Sequence, residues 1–301
     1  MQKYLSILSL SLLLLACNSA TKNKDAAQER VVTVTIEPQR FFLELLAGDE
    51  YSINTLVPPG TSPETYEPSP SVMIEMGKSD IYFRVGELGF EKVWSSRLEQ
   101  NNPDVAIVDC SAGIDLMEGE LHGHDHDHAD QAGDGHSHTA LDPHVWTSPG
   151  AMSVFTKNML EALVKADPVN EPLYRSNYEI LTHRINVTDS TIRALLQDAS
   201  TDAFIIFHPA LGYFARDYGL HQYSIEFEGK NPSPSQIREL IDLARKEKIN
   251  TVFIQRGFDA KNAEVIAKEI DAELFEIDPM SYKWDEELIK IATILSRHKD
   301  E

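Results

Sequence analysis

Apolar positions along the chain fall into two alternating rhythms. Short runs rich in β-branched and aromatic residues, VVTVTI (31–36), YSINTLV (51–57), DIYFRV (80–85) and VAIVD (105–109), punctuate the first half. The second half repeats the pattern with AFIIF (203–207), TVFIQ (251–255) and ELFEI (273–277). Each run reads as a strand and the stretches between them as helices, so the pattern predicts an α/β fold. One helix is marked with particular clarity. Ser233 caps it, Pro234 suits its first position, and Gln236 completes a capping box before the Ile237, Leu240, Ile241, Ala244 stripe.

Between the halves, residues 173–199 hold no Gly or Pro, and Tyr174, Tyr178, Leu181, Ile185, Ile192 and Leu195 recur at spacings of three, four and seven. That spacing describes one face of a single helix about 40 Å long. It predicts an N-terminal lobe over 31–168, a connector helix over 169–199 and a C-terminal lobe over 200–301; a long helix packed within one domain is the alternative. Residues 118–140 break both rhythms. Dominated by Gly, Asp, His, Ala and Ser, they predict a disordered surface loop, because they bury too little to offset their ordering entropy.

The chain's first 17 residues form a different pattern. MQKYLSILSLSLLLLAC joins Lys3 to an apolar run from Leu5 to Leu15, which is too short to span a bilayer and reads as a signal peptide. Its ending, Leu14-Leu15-Ala16-Cys17, resembles a bacterial lipoprotein cleavage box, making Cys17 the expected lipidation site; an ordinary secretory signal is the alternative. Residues 18–30 read as a flexible polar tether. About 280 residues remain, enough for two lobes, and none of their apolar runs reaches transmembrane length. The expected location is therefore extracytoplasmic, periplasmic or at the cell surface, with lipid on Cys17 holding the protein to a membrane. Cys110 is the sole other cysteine, so no intrachain disulfide is expected, and its place after a strand reads as a small buried hydrophobe.

Charge narrows the partners. Lys plus Arg number 27 against 48 Asp plus Glu, a formal net charge of −21, which argues against nucleic acid and suits the attraction of cations. The eleven histidines supply candidate ligands. Six of them, His122, His124, His126, His128, His136 and His138, lie in the 118–140 loop and can bind late transition metals through neutral imidazoles. Such a loop must order itself around each ion, and it loses ions as its histidines protonate near pH ~6.5. A solvated spacer is the alternative. His183, His221 and His298 read as surface or packing residues.

Three isolated residues carry more specific signals. His208 directly follows the run AFIIF, and Asp278 directly follows ELFEI, where α/β sheets collect ligands outside the carboxyl ends of their strands. His144 follows Asp142-Pro143 at the point where the polar loop gives way to structured chain. Each alone is more often a cap or a hydrogen-bonded structural residue.

Their combination, with several motifs in order, resembles the cluster A-I metal-binding lipoproteins of bacterial ABC importers for zinc and manganese. The motifs are VPPGTSPETYEPSPS (57–71), IYFRVGELGFEKVW (81–94), LDPHVWTSP (141–149), FHPALGYFARDYGL (207–220), NPSPSQI (231–237), VFIQRGFDAKNAEVIAKEI (252–270) and FEIDP (275–279). The resemblance spans nearly the whole mature chain, and a histidine-rich loop before the DPH motif is a trait of the zinc-associated members. It implies two Rossmann-like lobes joined by one long rigid helix, with a metal site in the cleft between them. It also implies a monomer that captures the ion and hands it to an inner-membrane permease, and no enzymatic activity.

Carried onto this chain, the family's ligands are His144, His208 and Asp278, with Glu64 where the family usually has histidine. Two imidazoles and two carboxylates would neutralise a 2+ ion. Zinc accepts that set, and manganese gains ground as oxygen ligands replace nitrogen, so the ligand list leaves the ion open between a favoured Zn2+ and Mn2+. Glu64 could instead swing away and leave three protein ligands with water. Two rival functions are a metallohydrolase with Glu64 as general base and a surface metal buffer or adhesin.

Overall fold

A computed structural model describes residues 30–119, 141–197, 199, 201–226 and 230–297. The leader, Cys17, the six loop histidines and His298 lie outside the described residues. The predicted runs become short parallel strands: β1 (Val31–Val34), β2 (Ser52–Thr55), β3 (Ile81–Arg84) and β4 (Ala106–Asp109) in the first lobe, ordered β2-β1-β3-β4. The second sheet has β5 (Ala203–Ile206), β6 (His221–Ser224), β7 (Thr251–Gln255) and β8 (Glu273–Ile277), ordered β6-β5-β7-β8.

Most strands stop short of their apolar runs, and at β1 the flanking residues are recruited to a helix start. Thr35 and Ile36 leave β1 to enter α1 (Glu37–Ala47), and their backbone N–H groups both donate to Gln39 Oε1 at 2.7 and 3.1 Å. Strand β6 has no counterpart among the predicted runs. It is a polar edge strand, HQYS, paired only with β5, so it needs no apolar run to exist.

In the first lobe α2 (Pro70–Met76), α3 (Gly89–Asn101) and α4 (Pro149–Ala166) join α1 around the sheet. The connector is α5 (Glu171–Leu196), 26 residues long. Its predicted face is the one that is used: Tyr174, Leu181, Ile185 and Ile192 are buried, with Tyr178 and Leu195 half-buried beside them. The remaining helices are α6 (Gly212–Tyr218), α7 (Pro234–Lys246), α8 (Lys261–Ile270) and α9 (Trp284–Leu295). Helix α7 starts with the capping box read from Ser233 and Gln236, and α6 ends on Gly219 in the left-handed region at φ +68°. No helix among the described residues is long and apolar enough to cross a membrane.

Helix α5 packs against α1 and α4 on the first-lobe side and against α9 on the second. The two lobes therefore share an apolar core. Phe42, Phe83 and Phe155 of the first belong to the same buried cluster as Phe204, Phe253, Ile277 and Trp284 of the second. Trp284 packs edge-on against Phe42 and donates its indole N–H to the Trp146 carbonyl, while the Trp146 indole donates to the Pro279 carbonyl at 2.9 Å. A separate cluster, including Ile205, Val252, Ile254 and Ile266, packs α7 and α8 onto the second sheet. Continuous burial across the lobe boundary fixes the carboxyl ends of the two sheets relative to one another, and the candidate residues sit at that boundary.

Candidate metal centre

His144 introduces a single-turn helix over Val145–Thr147. Its position is set by Asp142, two residues earlier, whose Oδ1 accepts from the His144 backbone N–H at 2.9 Å and lies 2.7 Å from ring Nδ1. Asp142 is buried, and its backbone carbonyl accepts the Tyr213 hydroxyl of α6 at 2.9 Å. The glycine that opens α6 makes room for this carboxylate: a Cβ on Gly212 would lie 2.7 Å from Asp142 Oδ2.

His208 stands beyond the end of β5, with its backbone bracketed by the Gln255 side chain. Gln255 Oε1 accepts from the His208 N–H at 3.2 Å, and the Gln255 amide donates back to the His208 carbonyl. Ring Nδ1 lies 2.7 Å from Glu226 Oε2, and Phe258 stacks on the imidazole with ring centres 5.8 Å apart and planes 12° from parallel. Each histidine thus has a carboxylate at Nδ1. With Nδ1–H donating to that carboxylate, the Nε2 lone pair is free, the arrangement found behind metal-bound imidazoles.

The two Nε2 atoms point at one another across 3.4 Å, and Glu64 closes the group. Its carboxylate oxygens lie 3.2 Å from His208 Nε2 and 3.8 Å from His144 Nε2. For a tetrahedral ion with bonds of ~2.0–2.1 Å, neighbouring ligand atoms should stand roughly 3.3–3.4 Å apart. The His144–His208 and His208–Glu64 separations fit that figure, while the His144–Glu64 distance, to the other carboxylate oxygen, is longer and needs a shift of the carboxylate. Among the described residues, Glu64, His144 and His208 are the group whose ligand atoms all lie within 4.8 Å of one another.

Protonation reflects the same contacts. Burial opposes charge on His208, but the hydrogen bonds it donates to Glu226 and Glu64 and the charges of both carboxylates outweigh it and raise its pKa to about 9. Burial likewise disfavours charge on Glu64, yet the His208 hydrogen bond and the nearby imidazoles hold its carboxyl below the usual range. In this arrangement a proton on His208 sits where an ion would.

Asp278 lines a cavity of about 170 Å³ together with His144 and His208, but it is not one of the group whose ligand atoms converge. Its Oδ2 pairs with Arg256 Nη1 at 3.0 Å and its Oδ1 accepts from the Met280 N–H at 3.2 Å. The mouth is formed by loops from both lobes: Gly257, at φ +94°, approaches the Gly60 carbonyl so closely that a Cβ would stand 3.1 Å from it. Four polar residues that shape the site, Asp142, Glu226, Gln255 and Arg256, escape the sequence reading. Asp142 carried a signal, an acid two residues before a candidate ligand. Glu226 carried none, since it follows an edge strand that is itself unmarked. Cys110 is buried, as its position after a strand suggests.

Comparison with known proteins agrees with this geometry. The family model described as zinc-uptake complex component A, periplasmic (ZnuA), matches residues 32–293. The high-affinity zinc uptake system protein ZnuA of Bacillus subtilis is 30% identical over 266 residues, covering 87% of this chain and 82% of that protein. The zinc-binding protein AdcA of Streptococcus pyogenes is 27% identical over 299 residues, which are 95% of this chain and 58% of that longer protein. A crystal structure of a ZnuA deletion mutant with zinc bound superposes with a TM-score of 0.78 at 32% identity, covering 89% of this chain and 97% of that one. The family match begins within β1 and ends within α9, taking in both sheets, the connector and every residue of the trio: the chain belongs to the ZnuA family of periplasmic zinc-uptake components.

Proposed function

We propose that this protein captures a divalent transition metal, zinc in preference to manganese, outside the cytoplasm and delivers it to an ABC permease for import. The observation that carries this reading is the convergence of Glu64, His144 and His208 within reach of a single ion. Glu64, His144 and His208 hold the ion, and Asp278 supplies a fourth ligand from the same cavity. The carboxylates of Asp142 and Glu226 keep the imidazoles oriented, so little rearrangement is needed when the ion enters. Zinc in the ZnuA mutant and the names of the two relatives favour zinc, and the two imidazoles agree with that preference.

Glu64 reaches both histidines at ligand range, which favours a holding site over a hydrolase with Glu64 set apart as base. The protein acts as a monomer tethered by lipid on Cys17. The loop histidines, His122, His124, His126, His128, His136 and His138, hold further ions weakly and feed the tight site. Competition between zinc and manganese for purified protein tests the reading. One tightly held zinc that manganese displaces poorly is the expected result; no tight ion, or a preference for manganese, would overturn it.

A further inference from the structure

Sheet order places one unassigned charge in a telling position. His208, Arg256 and Asp278 lie just beyond the carboxyl ends of β5, β7 and β8, and β7 runs between the other two strands. Arg256 is thus interposed between a histidine of the trio and the carboxylate that lines the cavity beside it. Its backbone is fixed, the N–H donating to the Ile277 carbonyl at 3.0 Å. Its side chain is 63% exposed and reaches across to Asp278 Oδ2 at 3.0 Å, with Glu276 Oε1 3.4 Å from Nε.

We propose that Arg256 is a displaceable internal cation: it holds the Asp278 carboxylate away from Glu64, His144 and His208, and gives it up when a divalent ion binds them. The inference rests on the proposed metal-binding role and assigns Arg256 a part in setting affinity. Three features support an exchange. The guanidinium lies at the rim of the cavity, where an ion pair is screened by water and weak, so separating it costs little. A 2+ ion held by the trio keeps a net positive charge beside Glu64 and offers the same carboxylate a direct coordination bond, which the guanidinium does not. Arg256 also retains Glu276 as a partner when Asp278 leaves, so no charge is stranded. The trio alone holds the ion first, and Asp278 completes the set by leaving Arg256. Return of the guanidinium to Asp278 then favours release.

The test is a double-mutant cycle read by zinc affinity in competition with a chromophoric chelator. Arg256→Met, which keeps the apolar stem and removes the charge, is expected to bind zinc up to about fivefold more tightly, the amount an exposed ion pair is worth. In an Asp278→Asn background the same substitution should change nothing. Arg256→Gln should act in the same direction as Arg256→Met, and metal-free melting temperatures confirm that each variant is folded. Equal affinity of wild type and Arg256→Met would overturn the proposal. So would a gain that persists with Asp278→Asn, since Arg256 would then act by general repulsion. Failure of the wild type to hold zinc at all would instead overturn the proposed function.

Discussion

At the scale of single residues, the proposed centre separates atoms placed to touch an ion, on Glu64, His144 and His208, from the carboxylates that aim the imidazoles. Glu64→Ala removes an oxygen 3.2 Å from His208 Nε2, so zinc affinity should fall by roughly 100-fold or more, beyond the ~10–100-fold carried by supporting carboxylates. Glu226→Gln leaves every ligand in place but takes the charge from behind His208; it should weaken zinc by about 10–100-fold with an unchanged metal-free fold. Isothermal titration of both variants checks the order, and equal, small losses would contradict it. His144 and His208 were marked in the sequence by strand and loop boundaries, but family resemblance was needed to make them candidate ligands. Glu64 was legible only through family resemblance, since a carboxylate in an exposed turn has no signature of its own. The Nδ1 partners were not legible, because a histidine's second nitrogen can be met by any element that folds beside it.

Among the elements, α5 shows how far periodicity reaches. Its buried stripe follows from spacing alone, yet its outer face carries Ile180, 67% exposed, beside polar neighbours. Ile185→Ala should therefore cost about 2–5 kcal/mol of unfolding free energy, and Ile180→Ala less than about 0.5 kcal/mol, measured by denaturant titration. The start of α5 is joined to α4 and the chain preceding β1 by the buried Asp167, which accepts from Arg30 Nη1 at 2.6 Å, Tyr174 Oη at 2.6 Å and Asn170 Nδ2 at 2.8 Å. Burial alone would raise its pKa; these donors reverse the effect and lower it to about 2. A carboxyl lowered on folding stabilises the fold above its unfolded pKa of ~3.9, and that contribution disappears as pH falls through about 2. Asp167→Asn should therefore cost about 2 kcal/mol at pH ~7, and the gap from wild type should narrow below pH ~4. A gap independent of pH would show that the hydrogen bonds, and not the charge, do the stabilising. Strand β6 is the element periodicity could not find, because a polar edge strand is defined by its neighbour β5.

For the molecule as a whole, the histidine-rich stretch lies close in sequence to the proposed metal centre, ending just before His144. Its two ends are held side by side, with an isolated antiparallel bridge between Glu118 and Leu141 and the Asp142 N–H donating to the Met117 carbonyl at 2.9 Å. Removing residues 119–139 therefore asks for only a short splice. The shortened protein should lose weak extra zinc equivalents in equilibrium dialysis and keep one tight ion; loss of the tight ion would mean that the stretch belongs to the primary site.

Alternation of strand and helix, the cap at Ser233, the buried face of the connector and the boundary positions of His144 and His208 all follow from short-range order, since periodicity and strand ends are properties of neighbouring residues. The spacing of three ligand atoms, the carboxylates behind both imidazoles and the pairing of Asp278 with Arg256 do not. They join residues as far apart as Glu64 and His208, and such distances are set by how two sheets, a connector helix and the Trp146–Trp284 contact pack the lobes together. Only that packing brings the carboxylate of one lobe within reach of the imidazole of the other.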